Sequence, residues 1–200
     1  MQKLSYTYRL LRAIGLNYSE EEYGQISIWK VINRVYKTYR NGFLLKFFMD
    51  SWLLSPLTPR LIRPAILRSI GCKVGKNVFL GSQVYIDSGY SNLIEIQDNV
   101  HVTARCLLLC HQRDISNYHV GDDSSKLKYK TGKILLKKGC MLGMNTMVMP
   151  GVTVGEGAIV GAYSLVTKDI PAWTIAVGRP AKVVKHIPER KSTNNENIDF

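Results

Sequence analysis

The sequence predicts a mainly β chain: a parallel β-helix of about four triangular coils, with a helical region before it and a short extension after it. Three observations carry this expectation. Stepping by six from Leu136 gives Leu142, Val148, Val154, Val160 and Val166, and the same step upstream gives Val74, Leu80, Ile86 and then Ile96, Val102, Leu108. Two residues before each lies a second, smaller series: Cys72, Val78, Val84, Ile94, Val100, Cys106, Ile134, Cys140, Thr146, Val152, Ala158 and Ser164. Both breaks in the stepping, after Ile86 and after Leu108, follow the third hexad of a group of three. A repeat this short is the mark of a solenoid.

Residues 1–69 lack the hexads and read as helices or loops, with 11 Lys plus Arg against 4 Asp plus Glu. Within them, residues 43–54 (FLLKFFMDSWLL) are apolar and aromatic. That run is far shorter than a membrane span and carries Lys46 and Asp50, so it caps the first coil or lies on an anionic membrane surface. The opening thirty residues lack the unbroken apolar run of an export signal, which points to a cytoplasmic protein. The four cysteines are then thiols, and the CxxxC spacing of Cys106 and Cys110 is a poor zinc signal, so no metal is expected.

The β-helix spans residues 70–170. In each hexad, positions i−2 and i share one face of a short strand because side chains alternate with period two. Helical spacings of three and four are missing, and a turn, often placed by Gly or Asn, follows each strand. The breaks insert loops at 87–93 and 109–131. Both leave from the same corner on adjacent coils, so their roots lie about 4.8 Å apart. A long insertion without evident structure in a compact solenoid is usually functional, which places the candidate site at that corner. Outward residues Phe79, Tyr85, Leu107, Met141, Met147, Ile159 and Leu165 form exposed apolar rows that a neighbouring subunit would cover. Residues 171–200 form the extension and a polar tail.

The composition is that of an ordinary soluble domain: 46% hydrophobic and 21% charged over 200 residues. The net charge of +12 suits anionic partners, whether nucleic acid, a membrane surface or a phosphate-bearing small molecule. GEGAIVG does not fit the dinucleotide fingerprint, because its third glycine would fall at Val160.

The run from Ile70 to Ile187, with GKNVFLG, IEIQDNVHV, LLLCHQRD, GVTVGEGAIVGAYSLVTKDIPAW and AVGRPAKVVKHI, resembles the hexapeptide-repeat, left-handed β-helix acyltransferases, and within them the maltose, galactoside and colanic-acid O-acetyltransferases. The resemblance implies left-handed winding, a homotrimer, and acetyl transfer from acetyl-CoA to a hydroxyl in a cleft between subunits. His111, three residues past Leu108, matches the catalytic histidine of that family. The chemistry needs such a group, because a sugar hydroxyl is a weak nucleophile and a neutral imidazole can take its proton as it attacks the thioester. Asp114 orients that ring, contacts the acceptor or merely starts a turn. Asp87, where the maltose and galactoside enzymes have an acceptor-touching Asn, binds sugar hydroxyls, holds the imidazolium or serves as a turn residue.

The resemblance assigns the coenzyme groove to Ala162 and Ser164, and the coenzyme phosphates to Lys168, Arg179 and Lys182. Met141 stands where the family commonly has Trp, which alters the acceptor pocket, and Tyr163 stands where Gly is frequent, which narrows the coenzyme groove. His101, His119 and His186 read as surface or interface residues. The expectation is thus an O-acetyltransferase, cytoplasmic or at the inner membrane face, that modifies a bacterial surface saccharide (capsule, exopolysaccharide or O-antigen) or its precursor. Its partners are acetyl-CoA and a saccharide, with no nucleic acid. The alternatives are acetylation of an amine or an antibiotic in the same cleft, and a non-catalytic basic scaffold.

Overall fold

A computed structural model of the chain describes residues 4–16, 20–49 and 57–190. The chain divides into two compact units, Met1–Leu44 and Leu45–Phe200. In the first, α1 (Tyr6–Ala13) is capped by Ser5, whose Oγ accepts the Tyr8 N–H at 3.1 Å, and α2 (Glu20–Tyr23) follows. Ser5 also donates through Oγ to the Ile26 carbonyl at 3.0 Å, which ties the start of α1 to the turn before α3 (Ile28–Met49).

The second unit is built on short strands. In chain order they are β1 (Lys73–Val74), β2 (Phe79–Leu80), β3 (Tyr85–Ile86), β4 (Ile94–Ile96), β5 (His101–Val102), β6 (Leu107–Leu108), β7 (His111–Arg113), β8 (Tyr129–Thr131), β9 (Ile134–Leu136), β10 (Met141–Leu142), β11 (Met147–Val148), β12 (Thr153–Val154), β13 (Ile159–Val160), β14 (Leu165–Val166), β15 (Thr174–Gly178) and β16 (Ala181–His186). Three parallel sheets result: β1-β4-β9-β12, then β2-β5-β10-β13-β15, then β3-β6-β11-β14. Apart from the detour through β7 and β8, the chain visits the three sheets in rotation. Each rung therefore hydrogen-bonds to the one above, as when Phe79 N–H donates to the Val100 carbonyl at 2.9 Å.

The core lies inside the three sheets. All twelve residues of the smaller series are buried, at 5% exposure or less, and so are the residues stepping by six apart from Val74. Val74 sits on the first strand of its sheet, which has a neighbour on one side only. Fully burying one such aliphatic side chain contributes roughly 1.5–3 kcal/mol, so the hexads account for the fold energetically as well as geometrically. The buried hydroxyl of Thr146 is satisfied by the Gly161 carbonyl at 3.2 Å.

Three residues before the inward aliphatic, most hexad turns place one residue in the left-handed region. Asn77, Gln83, Asn99, Arg105, Gly139, Asn145, Gly151, Gly157 and Tyr163 all have φ between +51° and +85°. Gly143 meets a different constraint: a Cβ there would lie 2.4 Å from the Ala162 backbone nitrogen of the next rung.

The start of the solenoid is closed by α4 (Arg63–Ser69), which buries Ile66 and Leu67. Arg63 is buried with it, and its guanidinium donates to the carbonyls of Met49 at 3.0 Å and Leu80 at 2.9 Å. At the other end the ladder runs past residue 170. There β15 extends the second sheet, Ala176 is fully buried, and β16 folds back antiparallel after the cis Arg179–Pro180 bond.

Candidate active site at the corner of the third sheet

The two insertions leave neighbouring rungs. β3 and β6 pair in parallel with Ile86 opposite Leu108, and Asp87 N–H donates to the Leu108 carbonyl at 3.3 Å. Asp87 is thus the first residue off one rung, and Cys110 and His111 lie just beyond the end of the next. The long insertion is not structureless. It leaves as β7 and returns as β8, an antiparallel ribbon with His111 opposite Thr131 and Arg113 opposite Tyr129, and it contains a short 3₁₀ turn at Ser124–Lys126. No tight Asn-Gly or Asp-Gly hairpin turn marks this ribbon in the sequence, which left the pairing illegible.

The Asp87 side chain is only 8% exposed, and that of His111 is 32% exposed. Oδ2 of Asp87 accepts the Cys110 backbone N–H at 3.1 Å and the His111 ring through Nδ1 at 2.5 Å. A buried carboxylate must be compensated by such bonds. Here they also orient the ring, because a carboxylate accepts only. Nδ1 is then the protonated nitrogen, and Nε2 presents its lone pair. Two tyrosines flank the imidazole, Tyr90 from the short insertion with ring centroids 5.0 Å apart and Tyr129 from β8 at 5.2 Å, edge-on. Arg113 stacks on the outer ring, its guanidinium carbon 4.1 Å from the Tyr129 centroid. Neither tyrosine nor Arg113 was a candidate from sequence, since loop tyrosines carry no periodic signal.

Cys110, beside His111 in sequence, is fully buried. Burial, and then the Asp87 charge, push its thiol up to about 12. Burial does the same to Cys72 and Cys140, and all four cysteines are free and buried.

Asp114 lies just past β7. Its Oδ1 accepts the Ser116 N–H at 3.1 Å and hydroxyl at 2.6 Å, contacts that hold its carboxyl below the usual range. It opens a turn, while the partner of the ring is Asp87. Met141 lies half-buried on the second sheet between His101 and Ile159, away from the corner that holds His111. His101 stacks on Phe79 with centroids 4.1 Å apart, His119 is exposed beside Asp122, and His186 ends β16.

A second cluster forms where the second sheet turns into the third. Tyr163 occupies its left-handed turn position with φ +59° and is exposed. Arg179 donates through Nε to the Tyr163 carbonyl at 2.7 Å, and buried Ser164 accepts the Gly178 N–H through Oγ at 3.1 Å. The C-terminal hairpin is thereby latched to Ala162–Ser164, and Lys182 stands exposed on β16 opposite Val177. Lys168 is not part of this cluster. It follows β14 at the same corner as His111, two rungs along in the order β14-β11-β6. Among the described residues no group of three or more metal-ligating side chains occurs.

The site therefore sits on a scaffold of hexad rungs, part of which is similar to known proteins. Residues 133–168 match the family described as bacterial transferase hexapeptide (six repeats). The chain is 36% identical over 129 residues to the putative acetyltransferase SACOL2570 of Staphylococcus aureus (strain COL), an alignment covering 63% of this chain and 62% of that protein. It is 30% identical over 112 residues to the putative acetyltransferase YvoF of Bacillus subtilis (strain 168), covering 56% of this chain and 59% of that one. The chain spans less than two thirds of the length of these curated relatives. Its fold is similar to that of a maltose O-acetyltransferase from Clostridium difficile 630, with a TM-score of 0.60, 22% identity, and coverage of 94% of this chain and 100% of that one.

Proposed function

We propose that this chain is an acetyl-CoA-dependent O-acetyltransferase that modifies a hydroxyl of a bacterial surface saccharide or its precursor. The observation that carries the reading is the oriented imidazole of His111, held on Nδ1 by buried Asp87 and partly open to solvent. The hexapeptide match and the relatives named as putative acetyltransferases support it. Nε2 of His111 takes the hydroxyl proton while the acceptor oxygen bonds to the thioester carbonyl carbon. The tetrahedral intermediate then collapses, the carbon–sulfur bond breaks, and the proton on Nε2 passes to the departing sulfur. The products are an acetyl ester and the free thiol of coenzyme A. Asp87 is the positioning residue, setting the tautomer and balancing the transient imidazolium.

Ala162, Tyr163 and Ser164 would line the coenzyme groove, and Lys168, Arg179 and Lys182 would meet its phosphates. Asp114 and Met141 would touch the acceptor from the loop side and from a neighbouring copy. The reading includes left-handed winding in about four coils, the divisions 1–69, 70–170 and 171–200, a homotrimer with its clefts between subunits, and work in the cytoplasm or at the inner membrane face.

The test is release of coenzyme A thiol with acetyl-CoA and a panel of mono-, oligo- and amino-saccharides, with the position of the product's acetyl group read by NMR. Wild-type turnover that collapses in His111→Ala supports the reading. Equal rates in the two proteins overturn it, and acetylation confined to amino sugars moves the reaction to nitrogen.

A further inference from the structure

The helix α3 carries an exposed apolar stripe. Trp29, Ile32, Tyr36, Tyr39 and Phe43 follow one another at spacings of three and four, which at 100° per residue confines them to a single face of about 80°. Each is at least half exposed, from 50% at Ile32 to 77% at Tyr39. Exposed apolar residues scattered singly need no explanation, but a continuous aromatic row about 21 Å long does.

Along α3 itself the charge has one sign. Between Ile28 and Met49 there are five basic residues, Lys30, Arg34, Lys37, Arg40 and Lys46, and no acidic one. Lys30 and Lys37 fall within about 100° of one edge of the stripe, and Arg40 beside them donates to Asn41 Oδ1 at 2.8 Å and 3.1 Å. On α1 and its C-cap, Tyr6, Leu10 and Ile14 are exposed at i, i+4 and i+8 beside Arg9, while Arg12 pairs with Glu20 at 2.9 Å. No described helix is long and apolar enough to cross a membrane.

We infer that α3 is an interfacial docking face for an anionic lipid surface, with the Trp29–Phe43 stripe seated among the acyl chains and Lys30 and Lys37 on the headgroup phosphates. Charge selects this occupant. A row of Trp and Tyr edged by cations, without a single carboxylate, complements a negatively charged layer with apolar depth, and the amphipathic rings suit the headgroup level. Two copies of the face brought together would instead oppose like charges. The sequence offered residues 43–54 either as a cap on the first coil or as a membrane contact; residues 50–54 lie outside the described residues, and the stripe lies further toward the N-terminus.

The experiment uses the full chain and sedimentation with vesicles of phosphatidylcholine alone, or of phosphatidylcholine with 30% phosphatidylglycerol. The expected result is binding to the anionic vesicles only, weakened by 0.5 M salt. Lys30→Glu with Lys37→Glu weakens it roughly tenfold or more, since each basic residue near a charged bilayer is worth about 1 kcal/mol. Trp29→Ser with Tyr36→Ser also weakens it. Absence of binding, equal binding to both vesicles, or binding indifferent to both double variants overturns the inference. So does a fall in the mass of the assembly with Trp29→Ser and Tyr36→Ser in analytical ultracentrifugation, which would make the stripe an interface between copies. None of these residues belongs to the proposed catalytic corner, so the outcome is independent of acetyl transfer.

Discussion

Asp87 holds His111 across 24 residues of sequence through a 2.5 Å hydrogen bond to Nδ1, while the same oxygen accepts the backbone N–H of Cys110. Two consecutive residues just past the end of one rung are thus fastened to the first residue off the rung beside it. Asp87→Asn keeps the shape but can present its amide N–H₂ to the ring, favouring the wrong tautomer. Turnover should fall roughly 10²-fold or more while the acceptor KM stays put. His111→Ala should lose about 10²–10⁴-fold in kcat. Steady-state kinetics of both variants check this, and an unaltered kcat in Asp87→Asn would remove its positioning role.

Tyr129 forms one wall of the imidazole and the platform for Arg113. Tyr129→Phe preserves ring and stack, so kcat should remain near wild type. Tyr129→Ala releases both neighbours and should lower kcat about tenfold, in line with about 1 kcal/mol for an exposed cation–π contact plus lost ring packing. The ratio of the two variants is the measurement.

Gly143 is sealed against the next rung, with the Ala162 nitrogen 2.4 Å from where a Cβ would lie. Gly143→Ala should cost about 1–3 kcal/mol as the rungs are forced apart. Leu142→Ala, one residue earlier and fully buried, should cost about 2–5 kcal/mol by opening a cavity. Urea midpoints report both.

The thiols of Cys72, Cys110 and Cys140 are pushed up to about 12 from 9.0. Their folded values lie above the unfolded one, so the unfolded chain loses these protons first as pH rises. The stabilisation is complete below about pH 9 and is lost between about pH 9 and 12. Stability by urea unfolding should therefore fall steeply from pH 8.5 to 10.5, and substituting Cys140→Ala should flatten the slope. At pH 7.5 the folded protein should not consume a thiol reagent, leaving coenzyme A release readable.

The hexads were legible because burial acts on every rung alike. Leu142, Val148, Val154 and Val160 repeat the same inward environment, so the sequence repeats with it. The corner was legible for the same reason, since the breaks after Ile86 and Leu108 interrupt a regular count. His111 could be singled out by its place, its chemistry and the resemblance of its motif to a known family. Its partner could not, because Asp87, Asp114 and Asp122 are all loop carboxylates near a histidine in sequence or in space.

Sequence by itself therefore determined the parallel β architecture, the inward residues and the corner from which both insertions leave, all of which follow from local periodicity or from its interruption. Tertiary structure decided the rest: that Asp87 rather than Asp114 meets the ring, that Tyr90 and Tyr129 flank it, and that Lys168 lies at the His111 corner while Arg179 lies at another. Those relationships depend on which rungs stack and how an antiparallel ribbon leaves them. Hydrogen bonds between residues distant along the chain set that arrangement, and no short-range pattern records it.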